Sequence, residues 1–165
     1  LLIEKGSRTV FFDDLDRDSP PIKMKPPVTE YVAGFLFDLG AREVVLVKKA
    51  RPDWQAGLYN GVGGKIEPGE TPEQAMQREF MEEANHLRTD WEQFCVLRGA
   101  DFTVYFFRAF IRIGRLADLV ETNTDEPIEV IWLDLIKVCN AVSNLQWLIP
   151  MALHRSRSFD VVEAA

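Results

Sequence analysis

The stretch from Asn60 to Leu87, NGVGGKIEPGETPEQAMQREFMEEANHL, constrains this chain more than any other: a glycine-rich turn runs into a helix with carboxylates on one side. Thr71 is placed to cap the helix, Pro72 suits its first position, and Gln74 completes a Thr-x-x-Gln capping box. The helix is expected to reach Ala84 and to end at Asn85, a residue that tolerates positive φ. At roughly 100° per residue, Glu79, Glu82 and Glu83 share one arc, and Met76, Phe80 and Leu87 share its neighbour. The apolar arc should face a core. The acidic arc then lies at its border, where the glycine turn returns.

This arrangement breaks two local rules. Like charges three and four residues apart repel, and carboxylates in the last turns oppose the negative end of the helix dipole. A divalent cation would reverse both effects. Hard cations such as Mg²⁺ take carboxylate oxygens while also holding substrate phosphates. In isolation, REFMEE reads as a solvated acidic face with Arg78 and Glu82 as an i,i+4 pair. Gly61, Gly63 and Gly64 change that reading, because they permit close backbone approach and suit a phosphate beside a metal.

Residues 64–86 resemble the Nudix box, G-x5-E-x7-R-E-U-x-E-E-x-G-U, with U a bulky aliphatic residue. Gly64, Glu70, Arg78, Glu79, Glu82 and Glu83 fall on its fixed positions, and Phe80 takes the first U. Asn85 stands in place of Gly, and His86 in place of an aliphatic residue, which shifts the expected packing anchor to Leu87. The resemblance implies an α/β (α+β) fold, a three-layer α/β/α sandwich with a mixed sheet. It implies hydrolysis of a phosphoanhydride with Mg²⁺, or Mn²⁺, as cofactor. Glu79, Glu82 and Glu83 would be metal ligands together with the carbonyl of Gly63. Glu70 and Arg78 would form a buried ion pair orienting them. For the general base, Glu83, Glu126 and Glu129 are candidates, with Glu126 preferred.

Substrate choice lies outside the box. The run LYNGVGGK resembles segments of the family's nucleoside-triphosphate pyrophosphohydrolases, where the Asn contacts the base. Asn60 is that residue here, or else simply a turn former. The tail NLQWLIPMALH resembles the segment closing the base pocket, with Asn144 facing a base edge and Trp147 lining the pocket or filling core. The turn at Gly64 aims Lys65 at the phosphates. Lys48, Lys49 and Arg51 either meet phosphates or solvate a strand end. The implied activity converts a nucleoside triphosphate to a monophosphate and pyrophosphate. The alternatives are a nucleotide-sugar or dinucleoside polyphosphate hydrolase, and a nucleotide-sensing module without turnover.

The remaining chain fits an enzyme-sized domain over residues 30–165, preceded by an extended arm over 1–29. That arm holds Pro20-Pro21, Pro26-Pro27 and a short candidate strand at Arg8–Phe12. Strands are expected at YVAGFLFDL and EVVLVKK, joined at Gly40 as a hairpin, then at Glu92–Arg98, DFTVYFFRAFIRI and PIEVIWL. The long aromatic strand should be buried on both faces. A polar loop covers Ala117–Glu126, a short helix starts at Asp134, and a last helix runs from Asn144 to Arg155, kinked or restarted at Pro150. The net charge of −7 argues against a nucleic-acid polymer as partner. Cys95 and Cys139 show no metal-binding spacing and read as reduced thiols. With no apolar run near the ~20 residues that span a bilayer, the expectation is a cytoplasmic protein without membrane contact, monomer or homodimer, acting on a small nucleotide.

Overall fold

The computed structural model describes residues 28–40, 42–112, 115–154 and 158–162. The arm expected over 1–29, with its candidate strand at Arg8–Phe12, lies outside these apart from residues 28 and 29. The described strands are β1 (Thr29–Asp38), β2 (Glu43–Lys48), β3 (Tyr59–Asn60), β4 (Glu92–Arg98), β5 (Phe102–Ile111), β6 (Ile128–Trp132) and β7 (Phe159–Val162). Two helices accompany them, α1 (Pro72–Ala84) and α2 (Leu145–Leu153). The sheet runs β3-β2-β1-β5-β4-β7, with β6 paired to β2. It is mixed: β1 lies antiparallel to β2 and parallel to β5, and β7 is parallel to β4.

Alternation along the central strands builds two cores. Phe35, Phe37, Val44, Leu46 and Phe106 pack with Leu145, Leu148, Ile149 and Ala152 of α2. Val32, Leu36, Val45, Val47 and Phe107 pack with Ala75, Met76, Phe80 and Ala84 of α1. One helix therefore covers each face, and the sandwich has three layers. This is why β1, β2 and β5 read as unbroken apolar runs. The approach of α1 is close: a Cβ at Gly34 would sit 2.6 Å from the Met76 sulfur.

The start of α1 matches its sequence signals. Thr71 Oγ1 accepts from the Gln74 N–H at 3.3 Å, and Gln74 Oε1 accepts from the Thr71 N–H at 2.9 Å. Asn85 ends the helix in the left-handed conformation, with φ 47° and ψ 34°. Thr71→Ala removes half of this box and should cost about 1 kcal/mol, a drop of a few degrees in Tm. A thermal melt checks it, with Thr71→Ser expected near the wild type.

Three expectations need correction. Leu87 is 66% exposed and anchors nothing. His86 instead meets the Phe80 ring edge-on, and Trp91 packs on the same ring at 5.0 Å, so an aromatic pair replaces the aliphatic anchor. At Asp134 there is only a single 3-10 turn, Leu133–Leu135. And α2 continues through Pro150 to Leu153 rather than restarting. The carbonyl that loses its donor there belongs to Gln146, an exposed residue that water can reach. Cys95 is buried and Cys139 half-buried, both as free thiols. No helix among the described residues is long and apolar enough to cross a membrane.

Candidate active site

The glycine segment is laced to β1 before it reaches α1. Gly34 and Val62 exchange backbone hydrogen bonds at 2.7 and 3.1 Å, Val32 N–H donates to Gly64 O at 2.9 Å, and Ile66 N–H donates to Glu30 O at 3.0 Å. Gly63 lies so flat on the strand that a Cβ there would overlap the Val32 carbonyl and stand 2.8 Å from Ala33 Cα. At Gly64 a Cβ would sit 2.6 Å from Glu79 Cδ. The turn is thus sandwiched between β1 and the first carboxylate of the acidic arc. Gly63 N–H donates to Glu83 Oε2 at 3.3 Å, while the Gly63 carbonyl accepts no hydrogen bond among the described residues.

The far end of α1 recruits a second segment. Helix carbonyls in a last turn lack intrahelical donors. Here the loop after Asp118 supplies them: Asn123 Nδ2 to Glu82 O at 3.0 Å, Asn123 N–H to Glu83 O at 3.1 Å, and Glu121 N–H to Ala84 O at 3.0 Å. This docking carries Thr124, Asp125 and Glu126 alongside Glu83. Glu126 is buried, ion-paired with Lys49 Nζ, and accepts from Ala50 N–H at 2.7 Å and Arg51 N–H at 3.3 Å. Lys49 Nζ also stands 3.9 Å from Glu83 Oε1.

Burial sets the electrostatics of the arc. It pushes the Glu83 carboxyl up to about 7, against the opposing pull of Lys49. It raises Glu79 as well, against Arg78. Burial acts on Glu126 in the same sense, but Lys49 and two backbone N–H groups outweigh it and hold that carboxyl below its ordinary value. Arg78 gathers the helix side of the site. It bonds Glu70 at 2.7 and 2.9 Å, Glu79 at 2.8 Å, Glu82 at 3.2 Å and the Lys65 carbonyl at 3.1 Å. Its hydrogen bonds, with the Glu67 N–H, bring Glu70 down to about 2. The Arg78–Glu70 pair is not buried as expected: the side chains are 23% and 20% exposed.

Two adjoining cavities open here. The smaller, about 280 Å³, is lined by Lys49, Arg51, Gly63, Gly64, Glu79, Glu83, Thr124, Asp125 and Glu126. The larger, about 1330 Å³, shares Lys49, Arg51, Gly63 and Gly64 and extends past Asn60, Trp54, Phe106, Asn144 and Trp147. Glu70, Arg78 and Glu82 line neither, nor does Lys65, an exposed residue whose carbonyl accepts from Arg78. Glu129 turns away to accept from Tyr59 Oη at 2.7 Å. Asn60 is engaged locally, its Oδ1 with Gly61 N–H and its Nδ2 with Gln55. Asn144 Oδ1 is a buried acceptor with no partner among the described residues.

A hard cation suits this donor set. Glu79 and Glu83 are oxygen donors whose burial leaves their charge under-compensated, and Gly63, with its carbonyl unpaired among the described residues, lines the same cavity. No cluster of three acidic, His or Cys side chains is already drawn together among the described residues. Arg78 holds Glu79 and Glu82, while Lys49 holds Glu83 and Glu126. Thr124, Asp125 and Trp54 join the lining with no sequence signal to mark them. Arg51 had one, as a basic residue leaving β2.

Residues 28–151 match the NUDIX domain family model. No curated protein matches the chain. Several solved structures share the fold. One, from work on MutT of Aliivibrio salmonicida and Vibrio cholerae, has a TM-score of 0.61 at 19% identity, covering 76% of this chain and 97% of its own. The NUDIX domain of Shewanella oneidensis NrtR, complexed with ADP-ribose, has a TM-score of 0.66 at 19% identity, covering 84% and 94%. A mutator MutT protein from Bacillus halodurans has a TM-score of 0.65 at 17% identity, covering 83% and 91%.

Proposed function

The chain belongs to the Nudix family of hydrolases, and from that premise we propose that it is a Mg²⁺-dependent nucleotide pyrophosphohydrolase, able to use Mn²⁺, that splits a nucleoside triphosphate into a monophosphate and pyrophosphate. One observation carries this reading. The small cavity offers four carboxylates and two basic groups, yet opens onto a large cavity with aromatic and apolar walls. An anionic polyphosphate enters such a place only with cations to offset the carboxylates.

In this reading Glu79, Glu82, Glu83 and the Gly63 carbonyl would hold the metal, which would supply Lewis-acid polarisation of the phosphates and lower the pKa of water. Arg78, tied to Glu70, restrains Glu79 and Glu82. Glu83 rather than Glu126 receives the proton of the attacking water. It lines the small cavity beside Glu79, and Lys49 lies closer to Glu126 than to it. Glu126 is already saturated with donors and positions Lys49. The water oxygen bonds to phosphorus as the bridging P–O bond breaks. In the large cavity, Asn144 Oδ1 accepts from a base N–H and Trp147 lines the pocket, while Asn60 shapes the turn at Gly61.

A second reading, hydrolysis of a diphosphate-linked nucleotide such as a nucleotide sugar or dinucleoside polyphosphate, draws on the ADP-ribose bound by the NrtR domain and on the volume of the large cavity. Pyrophosphate and phosphate release with Mg²⁺ across triphosphates, ADP-ribose, nucleotide sugars and dinucleoside polyphosphates separates the two. At least roughly tenfold higher kcat/KM on a triphosphate is expected, a transition-state difference of about 1.4 kcal/mol, and the reverse order would replace the first reading by the second. Nucleotide binding without turnover of any of them would leave a sensing module.

A further inference from the structure

We propose that Arg51 binds the phosphate nearest the nucleoside, with Asp125 holding its guanidinium ready. The inference rests on the reading above in one respect, the placing of the nucleoside in the large cavity and the polyphosphate in the small one. Arg51 lines both cavities, so it stands where they meet. A nucleotide spanning the two passes its first phosphate through that junction. Lys49, the other basic group there, is engaged by Glu126 and faces Glu83.

Arg51 is held but not saturated. Its Nη2 donates to both Asp125 oxygens, at 3.0 and 2.8 Å, whereas Nε and Nη1 make no hydrogen bond among the described residues. Its backbone N–H is pinned to Glu126. The partner loop is fixed in turn by the bonds of Asn123 to the end of α1. Both side chains of the Arg51–Asp125 pair are largely exposed, 73% and 65%. A pair so exposed contributes little to stability and yields easily to a third group. The guanidinium can therefore turn its free donors onto a phosphate, in the paired geometry that arginine favours.

The two products separate this role from any other. A nucleoside monophosphate keeps the phosphate in question, and pyrophosphate does not. In the full chain with Mg²⁺, Arg51→Gln should weaken nucleoside monophosphate binding about 10- to 100-fold, the loss of one charge-assisted contact. Pyrophosphate binding should change less than twofold. Asp125→Asn should weaken the monophosphate alone, by a smaller factor, and Arg51→Lys should recover part of the loss. Calorimetry reads all four proteins with both ligands, and unchanged melting temperatures show that the exposed substitutions leave the fold intact. If the wild type binds both products and Arg51→Gln leaves monophosphate affinity unchanged, or weakens pyrophosphate equally, the assignment to Arg51 is wrong. If the wild type binds pyrophosphate but no nucleoside monophosphate, the placing of the nucleoside fails, and this inference fails with it.

Discussion

Glu83→Gln is expected to lower turnover by about 10²- to 10⁴-fold, the usual loss on removing a general base, and to make the same protein more stable at alkaline pH. The sign follows from burial. The folded carboxyl titrates near 7, above its ordinary value of 4.5. Between those values the folded chain holds a proton that the unfolded chain has released. Stability therefore falls as pH rises through that window and stays lower above it. Gln resembles the protonated acid and can still accept from the Gly63 N–H, so it escapes the penalty. With metal chelated, the variant should exceed the wild type by about 2 kcal/mol at pH 8, several degrees in Tm. At pH 5 the two should nearly coincide. A gap of equal size at both pH values would show that charge burial is not the cause. Full activity in the variant would remove Glu83 from the chemistry.

The same crowding of buried carboxylates makes this part of the chain legible in the amino-acid sequence alone. Local preference and global arrangement disagree where function demands it, and the REFMEE arc breaks two electrostatic rules in the open. The helix start is equally plain, because Thr71, Pro72 and Gln74 act on neighbouring backbone. Strands β1, β2 and β5 show themselves through apolar runs that only a sheet covered on both faces can bury. What stays hidden depends on distant partners. Two-residue β3 exists because Lys48 and Val47 happen to pair there, and β7 because β4 leaves an edge to fill. Glu126 and Glu129 look alike in sequence. Docking of Asn123 on α1 turns the first inward, while strand alternation hands the second to Tyr59. Leu87 fits the apolar arc by periodicity, but the helix has already ended at Asn85, and His86 and Trp91 take its place.

Gly63→Ala should unfold the protein or nearly so, while Gly64→Ala next to it should leave the fold intact and impair turnover. The two glycines face different neighbours. At Gly63 the new methyl would meet the backbone of Val32 and Ala33 in the central strand, atoms that cannot move without breaking the β1–β5 pairing. Its φ of 155° adds strain for any residue with a side chain. Overpacking against a fixed neighbour costs about 1–3 kcal/mol and occasionally more, a large share of the roughly 5–15 kcal/mol that holds a typical domain together. At Gly64 the neighbour is the carboxylate of Glu79, the end of a flexible side chain that can swing aside. The fold then survives, but Glu79 leaves its place beside the small cavity. Far-ultraviolet circular dichroism and a melt should show Gly63→Ala collapsed or melting many degrees lower, and Gly64→Ala within a few degrees of the wild type. Metal titration should show weaker Mg²⁺ uptake in Gly64→Ala. Equal melting temperatures for the two variants would mean that the turn does not lie against β1 as described. Undiminished Mg²⁺ uptake in Gly64→Ala would mean that Glu79 serves the site from some other position.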